Sequence, residues 1–508
     1  MLKGPIDRRT WTIAGVVTLG GIMSSVDTTM VNVALESLAR DFNASLTSVQ
    51  WVATAYLLGL VTTIPLTGWA SDRFGGRRVW ITSVALFVLG SALAGFAWSL
   101  GSLIVFRLLQ GIGGGMIVPA GQSLLSRAAG PDRMGRMMSI LGVQQLLGPV
   151  LGPVLGGTLL EHASWRWIFF VNVPIAALAI PLGAMLLPAD AARRRVRFDG
   201  VGLMLISPGM AAVIYGMTEI EQSDALSPRS LVPIAAGIAL VAGFGLRACR
   251  GGSLLDLGLL RTRAFAAGAG TSFLLGIGLY AMLFLLPLYY QGARGASPLH
   301  AGLLLIPQGI GTAITMPFAG RLTDRAGSGP VVLGGLAVML AGTLPFALAG
   351  PSVTDPVLAA ALVVRGVGMG AATMPAMAGA YASLDRSSLA QAAALINVVR
   401  RLGGSLGVAL VAVVLEHGLP GSAGAVGDRV ASRAAAADAF ADSFWCVFGV
   451  CALAVVPALF LPRRPAVAPP ARAAATPLEL EHVLVIHVER PVARAVGSAT
   501  VSRWDEGD

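Results

Sequence analysis

The stretch GWASDRFGGRR, Gly68–Arg78, is echoed 252 residues later by GRLTDRAGSGP, Gly320–Pro330. Glycine, Asp-Arg and glycine recur in register: Gly68, Asp72, Arg73 and Gly75 in the first copy, Gly320, Asp324, Arg325 and Gly327 in the second. Each copy separates two long apolar runs, so each reads as a sharp polar turn between helices, where glycine lets the chain reverse. A further echo sets Arg107 against Arg365, 258 residues apart. The chain therefore contains two homologous halves that run in the same direction.

Outward from these turns, hydropathy divides the chain into fourteen apolar stretches, 11–35, 50–70, 79–98, 103–126, 137–160, 165–188, 200–219, 230–248, 264–291, 300–319, 331–350, 356–382, 389–416 and 443–462. Of 508 residues, 55% are hydrophobic and only 12% charged, about half the usual charge of a soluble protein. A mean hydropathy of +0.75 over such a length requires lipid as the solvent, and a helical span takes ~20 apolar residues. The first stretch is too long for a cleaved export signal and lacks a small-residue cleavage pattern, so it reads as a retained span. An even number of spans puts both termini on one side. The N-terminus, the alternate loops on that side and the residues just after the last stretch hold 22 Lys and Arg residues against 6 in the opposite loops, which makes both ends and the 189–199 loop cytoplasmic.

The organisation expected is a cytoplasmic N-terminus (1–10), a six-helix bundle (11–188), an inserted helix pair (200–248), a second six-helix bundle (264–462) and a disordered, Pro- and Ala-rich cytoplasmic tail (463–508). The inserted pair has no echo in the other half and should pack outside the core.

Residue inventory excludes several chemistries. Lys3 is the only lysine, so no P-loop or Schiff base forms inside the membrane. His162, His300, His417, His482 and His487 fall in polar breaks or the tail, where they cannot hold haem or metal in the bilayer. Cys249, Cys446 and Cys451 form no CxxC pair. A net charge of +10 raises the question of nucleic acid, but the arginines are spread among loops instead of clustered on one face. No cofactor, no metal and no catalytic cluster is expected.

Six motifs occur in order: VDTTMVNVAL (26–35), GWASDRFGGRR (68–78), LIVFRLLQGIGGG (103–115), GPVLGPVLGGTL (148–159), WRWIFFVNVP (165–174) and NVVRRLGGSLGVAL (397–410). In this combination, over about residues 11–462, the chain resembles the fourteen-span drug:proton antiporter-2 branch of the major facilitator superfamily, the EmrB/QacA type. The resemblance implies an all-α integral membrane protein, two six-helix bundles plus two inserted helices, and a secondary transporter, not an enzyme. Parallel repeats are one of the architectures of such transporters. It further implies export of lipophilic or amphipathic compounds against protons, by a functional monomer whose partners are the substrate, protons and the bilayer.

In the first turn, Gly68, Asp72, Arg73, Gly75, Arg77 and Arg78 would by themselves serve as a basic anchor at the cytoplasmic face; Asp72 can pair with the neighbouring arginines or a helix end. The resemblance adds a conformational latch between the halves. Because Ser328, Gly329 and Pro330 replace the basic pair in the second copy, the first copy is expected to matter more. Gly148, Gly152 and Gly156, at spacing four, give one smooth face for close helix approach. With Pro153 and Gly157 they match the family's antiporter motif.

Asp27 is the only acid well inside a span, and a carboxylate in hydrocarbon costs on the order of 3 kcal/mol, so it is a functional residue by default. A carboxylate that can gain and lose a proton is what a proton carrier requires. Thr28, Thr29 and Asn32 are its expected hydrogen-bonding neighbours; a purely structural helix contact is the bland alternative. The resemblance links Arg107 to proton transfer and matches Arg400 to a family arginine, with Arg401 standing where glutamine is common. Interior-facing cavity candidates are Asn32, Trp51, Tyr56, Gln144, Gln145, Tyr280, Tyr289, Tyr290, Gln291, Gln308, Asn397 and Arg400. The competing readings are an uptake symporter of the same fold, which would want a more polar site, and a membrane protein without transport activity.

Overall fold

A computed structural model describes residues 7–130, 133–189, 198–223, 227–248, 255–296, 298–348, 353–385, 387–418 and 429–463. Residues 1–6 and the tail from 464 onward, with the disorder expected there, lie outside the described residues. Among those described the regular structure is helical. The helices of the N-terminal half are α1 (Arg8–Asp41), α2 (Leu46–Thr63), α3 (Leu66–Phe74), α4 (Gly76–Gly95), α5 (Leu100–Ala129), α6 (Met134–His162), α7 (Arg166–Phe170) and α8 (Asn172–Leu186). An intervening pair, α9 (Gly200–Ser223) and α10 (Pro228–Ala248), leads to α11 (Arg263–Leu288), α12 (Pro298–Ala326), α13 (Ser328–Leu348), α14 (Asp355–Ala382), α15 (Leu389–Gly418), α16 (Arg429–Leu453) and α17 (Val455–Ala458).

Helices prevail because lipid offers no partner for a backbone N–H or C=O, so each span must satisfy its own. Among the described residues, twelve helical segments are long and apolar enough to cross a membrane, or thirteen when α2 and α3, bent by 55° at a short break, count as one span. Helix starts follow local chemistry. Ser45 caps α2 by accepting from the Ser48 N–H, and Ser99 with Ser102 forms a capping box on α5. The two echoed turns share one backbone feature: Gly75 and Gly327 both take positive φ, at 94° and 86°, a region that only glycine enters freely.

The repeat extends to packing. In the N-terminal half α5 lies against α2 and α4, and α1 against α6; in the C-terminal half α14 lies against α12 and α13, and α11 against α15. Small residues permit the approach. A Cβ at Gly111 or Gly115 of α5 would collide with the Tyr56 or Leu60 carbonyl of α2, and one at Gly366 of α14 with the Gln308 carbonyl of α12.

Between the halves the core is continuous at the end that carries the two Asp-Arg turns. There Leu124, Met137 and Leu141 belong to the same apolar cluster as Met316, Met374 and Leu389. Toward the other end the core divides, one cluster around Val31, Val52 and Phe169 in the N-terminal half and another around Leu285, Phe346 and Phe444 in the C-terminal half. The turn end is therefore the closed end, and toward the other each half keeps a core of its own.

Of the inserted pair, α10 lies outermost, with Val232, Ile238 and Leu246 exposed. Its partner α9 also reaches the core. Ser207 donates to the Thr62 carbonyl at 2.6 Å, Tyr215 stacks 5.7 Å from Trp51, and Val213 and Met217 pack beside Val408, Ala409 and Ala412 of α15.

Candidate functional site

Asp27 of α1 is wholly buried within the N-terminal half. Its Oδ2 lies 2.6 Å from Nη1 of Arg107 on α5. Oδ1 accepts two amide hydrogen bonds, from Gln110 Nε2 at 2.8 Å and from Asn172 Nδ2 on α8 at 2.9 Å. Arg107 also donates to the Gln110 amide oxygen at 2.7 Å and, through Nε, to the Val52 carbonyl at 3.1 Å. Its guanidinium lies over the Tyr56 ring, 4.3 Å from the centroid. The amide of Asn172 is steadied by Ser91, 3.0 Å away, and the Tyr56 hydroxyl by Ser24, also at 3.0 Å.

A buried ion pair is tolerable only when its remaining valences are met, and here three donors converge on the carboxylate. Protonating Asp27 would remove one charge and leave Arg107 facing a neutral acid. The two protonation states differ by a full charge at the junction of α1, α5 and α8. That is the chemistry a proton-operated switch needs.

Sequence reasoning singled out Asp27 and Arg107 but expected other neighbours. The Thr28 and Thr29 hydroxyls go instead to main-chain carbonyls, Thr28 to Ser24 at 2.9 Å and Thr29 to Gly148 at 2.8 Å; the Asn32 side chain lies outside the described residues. Gln110 and Asn172 were missed as partners. A polar amide in a long apolar run was the available signal, since both stand inside quoted motifs. Tyr56, expected in a cavity, belongs to this buried network.

The C-terminal half holds an altered copy of the same site. Arg365 is wholly buried and donates to the Gln308 amide oxygen at 2.8 Å and to the Gly278 carbonyl at 3.2 Å. Gln308 follows Tyr56 by 252 residues. Around Arg365 an amide and a carbonyl stand in place of the phenol and carboxylate around Arg107.

At the closed end, Asp72 accepts from Gln391 of α15 at 3.2 Å and lies 3.6 Å from Arg127. Gly68 leaves room for that glutamine, whose Oε1 would sit 2.7 Å from a Cβ there. Arg77 donates to the Ala184 carbonyl, while Arg73 and Arg78 are exposed. The second copy spans the halves more directly. Asp324 accepts from Arg136 Nε at 2.7 Å and from the Gly135 N–H at 2.9 Å, in the first turn of α6 where the helix end favours an anion. One layer further in, Asn397 of α15 donates to Gln122 of α5 at 2.6 Å. Arg400 is buried one turn along and donates to Asn397 at 3.4 Å.

The glycine face of α6 meets α1. A Cβ at Gly148 would strike Ser25, one at Gly152 would strike Thr29, and one at Gly156 would stand 3.4 Å from Met30. Gly157 faces open space, with nothing within 4 Å. The Pro153 side chain, like those of Gln144 and Gln145, lies outside the described residues. The helix that carries Asp27 thus rests on a surface without side chains.

A cavity of about 370 Å³ opens on α11 and α15, lined by Tyr280, Leu283, Phe284, Pro287, Leu288 and Val408. Tyr280 is the one sequence candidate in this wall. Gln291 is exposed beyond the end of α11, Trp51 is stacked on α9, and Tyr289 and Tyr290 are buried among aromatic neighbours. The apolar lining residues escaped sequence reasoning because leucine and phenylalanine carry no signal in a chain this hydrophobic.

A family model for the Major Facilitator Superfamily matches residues 17–408. The chain belongs to that superfamily. Among the relatives of this superfamily member, a multidrug resistance protein B homolog of Mycobacterium tuberculosis is 40% identical over 409 residues, 80% of this chain and 76% of that protein. An MFS-type transporter of Bacillus subtilis is 28% identical over 405 residues, 79% of this chain and 76% of its own. The solved structure of the proton:xylose symporter XylE superposes with a TM-score of 0.62 at 16% identity, covering 88% of this chain and 94% of that one, which establishes the shared fold. The major facilitator fold read from the sequence is thereby met, and the protein is a multi-pass membrane transporter of small molecules, not an enzyme.

Proposed function

We propose that this transporter exports lipophilic or amphipathic compounds in exchange for protons, by alternating access between two six-helix halves. The observation that carries the reading is the buried Asp27–Arg107 pair inside the N-terminal half, where gain or loss of one proton changes what α1, α5 and α8 can pack against. Relatives named for multidrug resistance favour export of drug-like compounds, and the resemblance of the Gly148–Gly157 motif to the antiporter signature favours the outward direction.

With 22 basic residues against 6, the turn end is cytoplasmic, and the fourteen apolar stretches place both termini there. The closed end is then the cytoplasmic gate, and the conformation described is outward-facing. A proton arriving from outside neutralises Asp27 and releases Arg107 toward Tyr56 and the Val52 carbonyl. α1 then shifts on the glycine face of α6, and the Asp324 and Asp72 contacts part. Substrate enters from the cytoplasm or inner leaflet, and loss of the proton returns the ion pair and the outward state. The proton gradient is the only driving agent, without a cofactor, and a monomer contains every part. No nucleic acid enters the cycle.

The test is efflux of a fluorescent lipophilic probe from proteoliposomes under an imposed pH gradient. The wild type should respond to the gradient and Asp27→Asn should not. Gradient-driven transport at full rate by Asp27→Asn would reject the coupling mechanism.

A further inference from the structure

The open, apolar cavity wall on α11 and α15 has a positive charge beside one of its lining residues, Tyr280. None of the six lining residues is charged. Below them on α15, two turns from Val408 and therefore on the same helix face, stands Arg401, half-buried, with its guanidinium 5.9 Å from the centre of the Tyr280 ring. One turn further toward the gate, Asn397 is bonded to Gln122, so Arg401 sits just on the open side of the closure. A partly exposed guanidinium at mid-span is sustained by water in a cavity, not by lipid.

We propose, resting on the export reading above, that this cavity selects lipophilic organic anions and that Arg401 binds their anionic head group. The apolar wall of Leu283, Phe284, Pro287 and Leu288 receives the hydrocarbon body. At its foot the guanidinium offers a planar fork of N–H donors suited to a carboxylate or sulfonate, with the Tyr280 phenol beside it. A lipophilic cation finds the opposite. Asp27 is fully buried and already engaged by Arg107, Gln110 and Asn172, so it offers no exposed counter-charge. Exchange of one proton inward for one monovalent anion outward moves two positive charges into the cell per cycle. An inside-negative potential therefore drives anion export, whereas exchange of a monovalent cation for one proton is electroneutral.

The experiment uses the purified full chain in liposomes under a fixed proton gradient. Three probes are compared: anilinonaphthalene sulfonate, phenylnaphthylamine (the same skeleton without the sulfonate) and ethidium. The wild type should carry the sulfonate faster than the neutral amine, and ethidium least. Arg401→Gln should lower the sulfonate-to-amine ratio by at least roughly tenfold, the worth of one charge-assisted hydrogen bond, and Arg401→Lys should restore part of it. A wild type that prefers ethidium or the neutral amine overturns anion selectivity while leaving proton-coupled export intact. An unchanged ratio in Arg401→Gln overturns the role of Arg401. Should Arg401→Gln fail to reach the membrane, the wild-type order and the ratio in Arg401→Lys decide. Transport of none of the probes in response to the gradient overturns the export reading and this inference together.

Discussion

At the scale of single residues, the protein concentrates its polar chemistry in a few side chains that would be costly in lipid unless partnered. Asp27 spends both oxygens on three donors, so each donor is exposed to test. Asn172→Ala removes one hydrogen bond to a charged group, worth roughly 1.5–3 kcal/mol, and transport should fall by about tenfold or more at matched membrane levels. Rates within twofold of wild type would show that Asn172 does not steady the carboxylate. At the gate, the sequence favoured the first Asp-Arg turn, whereas the geometry gives the second a short ion pair across the halves: Asp324 with Arg136 at 2.7 Å and with the Gly135 N–H. Asp324→Asn should destabilise the outward-facing state by about 1.5–3 kcal/mol, at least as much as Asp72→Asn. Alkylation from the cytoplasmic side of a cysteine placed at Gln122 should then speed up. Equal rates in the variant and its parent would remove Asp324 from the gate.

At the scale of elements, the proposed cycle requires α1 to slide on α6. α1 rests on Gly148, Gly152 and Gly156 of α6, where a methyl group has no room at the first two positions. Gly152→Val overpacks that contact at a cost of about 1–3 kcal/mol and should slow transport several-fold, while Gly157→Ala, which meets open space, should be close to wild type. Comparing the two variants at equal protein levels separates a sliding surface from a merely small-residue motif; equal effects would refute it. α9 shows the limit of repeat logic. Lack of an echo in the other half placed the inserted pair outside the core; α10 exposes Val232, Ile238 and Leu246, yet its Phe244 and Ala248 join the main core cluster, and α9 binds α2 through Ser207 and Tyr215 and touches α15 through Val213 and Met217.

At the scale of the whole molecule, a core shared by the halves at one end and divided toward the other makes cross-linking a direct probe of the proposed cycle. Cysteines at Gln122 and Asn397, in a chain whose Cys249, Cys446 and Cys451 are replaced by serine, lie where a short bifunctional thiol reagent joins α5 to α15. The joined protein should be locked outward-facing and lose transport, and undiminished transport after complete cross-linking would show that this end need not open. Orientation has its own test. A cysteine at Ala191, in the arginine-rich loop 189–199, should resist an impermeant reagent added to intact cells, and efficient labelling from outside would invert the topology.

What the sequence determined by itself was set by solvent and by covalent repetition. A chain this apolar has to form helices that satisfy their own backbone, charge bias in the loops predicts their orientation, and the echo of Gly68, Asp72, Arg73 and Gly75 at Gly320, Asp324, Arg325 and Gly327 declares two like halves. Asp27 and Arg107 were legible because a charge in hydrocarbon stands out against its neighbours. Gln110 and Asn172 as the clamps on Asp27, Asp324 as the partner of Arg136, Gln308 as the partner of Arg365, and the apolar wall beside Tyr280 were decided only by the tertiary structure. These contacts join residues up to 188 positions apart, and their partners are set by packing angle and rotation about each helix axis, which local composition does not encode.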